Sequence, residues 1–130
     1  MVVMIMQVDN DLLFEQFAYL VHNLFIQLVV ITALIDILTG MSVGFKCREL
    51  NSTRGLNGVL KHMCVIALIL VVYPYMNLLN LQPYANAFVG FYIVSYTISI
   101  LENLVKLGVP VPQVVKRYLF KVKDYLDQGK

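Results

Sequence analysis

Three long runs of apolar residues dominate the pattern of hydrophobic and polar positions along the chain. They cover Phe17–Leu38, Val59–Leu79 and Tyr84–Val105. A helix of about 20 apolar residues is long enough to cross the hydrocarbon core of a bilayer. Because backbone groups in lipid must satisfy their hydrogen bonds within the chain, the runs predict an all-α integral membrane protein with three transmembrane helices.

The first helix has a longer helical pattern than a single crossing needs. Residues 1–16 form a short segment before the crossing, in which Asp9 or Asn10 could cap a helix. From there the pattern continues without proline over Leu12–Phe45. We therefore expect this helix to tilt, to project beyond the membrane or to break near Thr39-Gly40.

The second and third helices are bounded by turn-forming residues. Residues 46–58 contain glycines, asparagines and a serine, which indicates a loop. The second helix is almost devoid of polar residues, so it is predicted to face lipid or to pack on one neighbour only, with Pro74 kinking or ending it. The third is predicted over Ala85–Leu107, where Gly108 and the two prolines after it stop the helix.

Residues 106–130 form a basic tail. Within it, apolar residues recur at helical spacing, with charged residues on the other face, which predicts an amphipathic helix. We expect this helix to lie on the inner leaflet, attracted by anionic lipid. The basic residues expected to contact that leaflet are Lys116, Arg117, Lys121 and Lys123.

The basic residues all lie on one side of the predicted membrane. Of the ten, three fall between the first and second runs, Lys61 lies at the start of the second run, and the other six follow the third run. Because basic loops stay in the cytoplasm, the N-terminus is predicted to lie outside and the C-terminus inside. The same residues are needed to orient the chain in a membrane, so nucleic-acid binding is not expected.

Composition agrees with a single membrane domain over residues 1–130. The residues AVILMFWYC make up 59% of the chain and only 14% are charged, whereas a soluble domain carries about 25% charged residues. The hydrophobic excess is concentrated in the three runs, so it indicates a lipid-facing surface rather than a large soluble core.

The third helix carries one polar stripe. Ser95, Ser99, Glu102 and Lys106 follow the spacing i, i+4, i+7, i+11 and therefore share a face. A charge at the centre of a bilayer costs at least ~2.5–3.5 kcal/mol, so such groups face a partner or water. Either Glu102 pairs with Lys106 at the inner interface, or the stripe serves self-association or lines a water-filled hole.

The first helix carries two polar patches. Asn23 and Gln27 are expected to share a face near the outer half, and Thr32, Asp36 and Thr39 a roughly opposite face toward the inner half. Asn and Gln side chains join helices within membranes. Asp36 is either a buried acid that seeks a partner or an interfacial acid balanced by a basic residue of the following loop.

Nothing in the sequence indicates catalysis. It contains no nucleophile–base pairing and no phosphate-binding loop. Cys47, Cys64 and His62 lack the regular spacing of metal ligands. We therefore expect a protein that is not an enzyme and that binds neither a cofactor nor a metal.

Several motifs, in this order and spacing, resemble a known family. They are residues 36–40 (DILTG), 46–52 (KCRELNS), 54–61 (RGLNGVLK), 99–103 (SILEN) and 107–112 (LGVPVP). Together with the basic tail, they make the chain similar to the phage lysis and toxin-secretion holins of bacteriophage holin family 4, which include the clostridial toxin-release holin. The resemblance covers roughly Leu28–Lys123.

The resemblance implies a function without catalytic residues. A holin accumulates in the cytoplasmic membrane of a bacterial host, forms homo-oligomers and opens lesions that release an endolysin or a toxin and lyse the host. The endolysin would be a functional partner without direct contact, and an antiholin is a second candidate partner. Two alternatives remain: an antiholin or other regulatory membrane subunit, and a small ion channel.

The polar residues of the first and third helices are the candidates for assembly and for lining a hole. Before lysis they should be hidden in helix–helix contacts, because exposing them to lipid is costly. The candidates are Asn23, Gln27, Asp36, Ser95, Ser99 and Glu102.

Overall fold

The computed structural model describes residues 9–49 and 51–129, and this part of the chain is all-helical. Residues 1–8 of the predicted exterior segment and Lys130 of the tail lie outside the described residues. The described helices are α1 (Asn10–His22), α2 (Leu24–Cys47), α3 (Ser52–Leu78), α4 (Gln82–Leu107) and α5 (Gln113–Gln128).

Three of these helices are long and apolar enough to cross a membrane. They are α2, α3 and α4, with 24, 27 and 26 residues. At about 1.5 Å per residue each exceeds the ~30 Å of a hydrocarbon core. Large apolar side chains such as Leu34, Leu68 and Phe91 are exposed on their outer surfaces, where lipid would cover them. The prediction of an all-α chain with three long apolar helices is confirmed.

The break in the first helical pattern occurs at Asn23. This residue adopts an extended conformation (φ −80°, ψ 122°), ends α1 and caps α2. Its Oδ1 accepts hydrogen bonds from the backbone N–H groups of Phe25 (2.9 Å) and Ile26 (3.3 Å), which have no partner within the helix. The prediction of a break near Thr39-Gly40 is therefore wrong, and the first long apolar helix is Leu24–Cys47 rather than Phe17–Leu38.

The second long helix begins seven residues before the predicted crossing. Asn51 caps it by accepting a hydrogen bond from the N–H of Thr53 at 3.2 Å, so a turn-forming residue here starts a helix. Pro74 lies inside α3, which continues to Leu78. The third helix ends as predicted, with Gly108 in the left-handed conformation (φ 84°) that favours glycine.

The core is a thin layer of aliphatic and aromatic residues between α2, α3 and α4. Val29 and Ala33 of α2, Ile69 and Tyr73 of α3, and Val89 of α4 are each at most 1% exposed. The most extensive contact joins α2 to α4, and α3 packs against α1, α2 and α4. The second long helix is the least buried of the three, which agrees with the prediction that it faces lipid. The alternative of a single protein neighbour is wrong, because α3 packs against α1, α2 and α4.

The fifth helix lies beside the end of α4. Its Leu119 is buried, whereas Val114, Tyr118 and Tyr125 are exposed. The helix therefore exists where the sequence predicts the tail helix, with much of its apolar face uncovered by protein.

Candidate functional site

A cluster of polar side chains lies between the three long helices toward the end that carries the α2–α3 loop. Asp36 of α2 is 7% exposed, and its Oδ2 lies 3.6 Å from Nε2 of His62 in α3. Asn103 of α4 donates from Nδ2 to Asp36 Oδ1 (3.3 Å) and to Thr39 Oγ1 (3.1 Å). These four residues, which we call the inner cluster, connect all three helices.

The inner cluster borders an open cleft lined by α2, α3 and α4. The cleft has a volume of about 400 Å³, and Asp36, His62 and Ser99 contribute to its wall together with Glu49 and Arg54 near the loop. Four glycines also line it: Gly40, Gly44, Gly55 and Gly58. A Cβ atom added at Gly55 or Gly58 would meet no atom within 4 Å, so the space beside these two glycines is open. Water entering this cleft would reach a buried carboxylate.

A second polar cluster lies at the opposite end of the bundle. Asn23 is 6% exposed and donates from Nδ2 to the hydroxyl oxygen of Tyr73 at 2.8 Å. The Tyr73 hydroxyl donates in turn to Oδ1 of Asn86 at 2.7 Å. This outer cluster of three residues connects the α1–α2 junction to α3 and α4. Because the buried amide of Asn23 has a partner on α3, the helix break there is fixed by packing as well as by capping.

At each end of the bundle, a single hydrogen bond joins two helices. Near the outer cluster, Nδ2 of Asn77 donates to Oε1 of Gln16 at 3.3 Å, which joins α3 to α1. At the other end, Nζ of Lys46 donates to the backbone oxygen of Lys106 at 3.0 Å. A cation there satisfies a carbonyl that the end of α4 leaves free.

The structure separates the polar residues predicted on the first helix. Asn23 and Asp36 are buried in different clusters, about 13 residues apart along the chain. Gln27 is exposed and donates from Nε2 to the backbone oxygen of Val21 at 2.8 Å, which replaces a helical partner lost at the break. Asn23 and Gln27 therefore do not share a face. Asp36 is the buried acid with partners, not the interfacial acid balanced by the loop.

The predicted stripe on the third helix is divided between two neighbours. Ser95 and Ser99 are half-buried, and Ser99 lines the inner cleft. Glu102 instead faces α5, with its Oε1 4.0 Å from Nζ of Lys123. Glu102 therefore contacts Lys123 of the next helix rather than Lys106 of its own helix.

The basic residues of the tail point in different directions. Lys116 and Lys123 line a crevice between α5 and the end of α4. Arg117 and Lys121 are exposed and do not line it. Of the four residues predicted to contact lipid, two therefore line the crevice and two are exposed outside it.

Sequence reasoning missed the partners that complete the clusters. His62, Tyr73, Asn86 and Asn103 were not among the candidates, and two of them come from α3. The second long helix therefore contributes to both clusters, whereas the candidates for polar surface came from the first and third helices. Polar residues within apolar helices usually face protein or water, and that signal would have identified His62 and Asn86.

The inner cluster does not have the composition of a metal site. Asp36 and His62 supply two ligand groups, and Asn103 and Thr39 are weak ligands for the metals that imidazole prefers. Within residues 9–49 and 51–129, no group of three His, Cys, Asp or Glu side chains could hold a metal ion.

Comparison with known proteins gives consistent matches. The profile of the bacteriophage holin family matches residues 14–124. An uncharacterized 14.9 kDa protein of Clostridium perfringens is 36% identical, over 69% of this chain and 70% of that protein. No solved structure matches the chain significantly.

Two further relatives have functional names. A protein of Bacillus phage phi105 named probable holin is 29% identical, over 95% of this chain and 87% of its own length. The holin-like protein TcdE of Clostridioides difficile is also 29% identical, over 82% of this chain and 75% of its own length.

Proposed function

The chain belongs to the bacteriophage holin family, and from this we propose that it acts as a holin. It is a multi-pass membrane protein and not an enzyme. In the proposed function it oligomerises in the cytoplasmic membrane of a bacterial host and opens lesions. An endolysin or a toxin then leaves the cell through them, and host lysis follows.

The observation that carries the proposal is the burial of two hydrogen-bonded polar clusters inside a bundle with an apolar exterior. A hole through a membrane needs side chains that water can solvate, and a protein waiting in lipid must hide them. The buried Asn23, Tyr73 and Asp36 meet both requirements.

The two clusters together cover most of the membrane thickness. Asn23 and Asp36 are separated by about 20 Å along α2, at 1.5 Å per residue, against a core of ~30 Å. If α2 and α4 separate, polar groups become available near both ends of the wall. A wall built from several copies would then be wetted along most of its length.

The bonds within the clusters are weak enough to exchange. Side-chain hydrogen bonds between membrane helices contribute about 0.6–2 kcal/mol each. Accumulation of protein would let the polar faces of neighbouring copies meet water instead of each other. Opening then depends on protein density, which gives lysis a threshold.

The proposed orientation places the N-terminus outside and the C-terminus inside. Lys46, Arg54 and Lys61 lie toward the end of the bundle where α2 meets α3, and Asp9 and Asp11 belong to the opposite end. The basic end would face the cytoplasm. The exposed apolar side chains of α5 would then rest on the inner leaflet.

Timed expression in bacteria with a soluble endolysin tests the function. A holin should cause abrupt lysis together with loss of the membrane potential, and expression without the endolysin should kill cells without clearing the culture. Loss of potential without endolysin escape would identify a narrow channel instead. No toxicity, with delayed lysis by a second holin, would identify an antiholin.

A further inference from the structure

A crevice with mixed chemistry lies between the end of α4 and α5. Its volume is about 140 Å³. The wall contains the apolar side chains of Val105, Leu119 and Phe120. The charged residues around it are Glu102, Lys106, Lys116 and Lys123. The exposed wall is almost wholly apolar, so the lysines line the crevice with their methylene groups. Three lysines and one glutamate leave two positive charges in excess around it.

Glu102 and Lys123 define the side of the crevice where charge is already balanced. Their charged atoms lie 4.0 Å apart, and both side chains are partly exposed. At that distance and exposure the pair is weak. Lys106 and Lys116 supply the remaining positive charge, one from each helix.

We infer that this crevice binds the headgroup of an anionic phospholipid. The ammonium groups suit a phosphate diester, and the apolar wall suits the first part of an acyl chain, which a free phosphate would not need. Basic pockets between membrane helices on the cytoplasmic side bind anionic headgroups in this way. The inference goes beyond the proposed function: it needs α5 at the level of the headgroups, but it does not need a hole.

The alternative is a general attraction of the tail to a negative surface. Every basic residue on α5 would then contribute alike, whether or not it lines the crevice. Lys121 provides the matched comparison, because it carries the same charge on the same helix but lies outside the crevice. Asp124 is the corresponding comparison for Glu102.

Native mass spectrometry of the purified full-length protein in neutral detergent tests the inference directly. Phosphatidylglycerol and phosphatidylcholine with matched acyl chains are titrated separately. We expect one tightly retained phosphatidylglycerol per protomer and much weaker phosphatidylcholine binding. Lys116→Gln and Lys106→Gln should each weaken phosphatidylglycerol binding about fivefold, since each removes one cation close to the headgroup. Circular dichroism checks that each variant keeps its helices.

The controls distinguish lipid binding in the crevice from general attraction of lipid to a charged surface. Lys121→Gln should change the affinity less than twofold, Glu102→Gln should tighten binding, and Asp124→Asn should not. Equal losses for Lys116→Gln and Lys121→Gln, or equal binding of the two lipids, would overturn the inference. Displacement of the lipid by inorganic phosphate or glycerophosphate would also overturn it, in favour of a free phosphate. Because these titrations involve no lysis, their failure leaves the holin proposal standing, and a non-lysing variant can still bind lipid.

Discussion

The carboxylate of Asp36 and the imidazole of His62 face each other across the interface of α2 and α3, with Oδ2 and Nε2 3.6 Å apart. Both residues line an open cleft, so water can approach this contact between the two helices. We expect this end of the bundle to open more readily than the outer end. At the outer end, the fully buried Tyr73 side chain hydrogen-bonds to the amides of Asn23 and Asn86.

The inner cluster should contribute measurably to the packing of α2 on α4. Asp36→Ala and Asn103→Ala each remove one partner of the hydrogen bond between them, and a double-mutant cycle isolates the energy that they share. We expect a coupling of about 0.6–1.7 kcal/mol in the free energy of unfolding measured in mixed micelles. Asp36→Ala combined with Thr97→Ala is the control, because Thr97 bonds to its own helix. A coupling no larger than that of the control would show that the contact does not join the helices.

Tyr73 should be the most sensitive residue of the outer cluster. Tyr73→Phe keeps the ring but removes the hydroxyl that accepts from Nδ2 of the buried Asn23 and donates to Oδ1 of the half-buried Asn86. Buried groups that lose a hydrogen bond cost about 1–3 kcal/mol, and we expect that loss in the free energy of unfolding. Tyr75→Phe, on an exposed ring of the same helix, should change it by less than about 0.5 kcal/mol. Equal effects of the two substitutions would contradict the role of the cluster.

The long apolar helices and the stop at Gly108 could be predicted from the sequence because they depend on local properties. Length and hydropathy identify a membrane helix, and glycine followed by prolines ends one. Ser52 begins α3 because Asn51, which also suits a turn, caps it. Turns and helix caps favour the same residue types, so a sequence shows that a helix is present more readily than it shows the residue at which the helix begins.

The break at Asn23 and the composition of the clusters could not be predicted because they depend on contacts between helices. An asparagine in an apolar run indicates a polar face, and only the position of Tyr73 shows that its amide is buried and bonded. Likewise, the sequence predicts Asp36 to be either a buried acid or an interfacial one. The choice between them required His62 and Asn103, which come from two other helices.

Polar residues of α4 should set the time of lysis. Ser99→Leu places a large apolar group in the inner cleft, and Glu102→Leu removes the contact with Lys123. We expect either change to shift or abolish lysis when the variants are expressed on the same schedule with an endolysin. Val71→Leu, on an exposed apolar position of α3, should lyse on time. If the two α4 variants lyse normally and the Val71 variant does not, assembly depends on α3 rather than on the polar residues.

The two native cysteines should report the orientation of the chain. Cys47 ends α2 near the loop and Cys64 is exposed on the side of α3, where lipid would cover it. A thiol reacts as the thiolate, which requires water. In the single-cysteine variants Cys64→Ser and Cys47→Ser, a membrane-impermeant maleimide should label Cys47 only from the cytoplasmic side and Cys64 from neither side. Labelling of Cys47 in intact spheroplasts would show that the chain has the opposite orientation.

The most direct test of the account is whether the buried α2–α4 interface reaches water when cells lyse. Ala33 is fully buried there, one turn from Asp36, and Ala33→Cys in a Cys47→Ser, Cys64→Ser background is a small change. Membranes are taken before and after lysis and sheared open, so that an impermeant maleimide reaches both faces in each sample. We expect no labelling before lysis and extensive labelling after it, while Leu68→Cys on the lipid-facing side of α3 stays unlabelled in both. Protection of Ala33→Cys in membranes from cells that lysed on schedule would contradict the account.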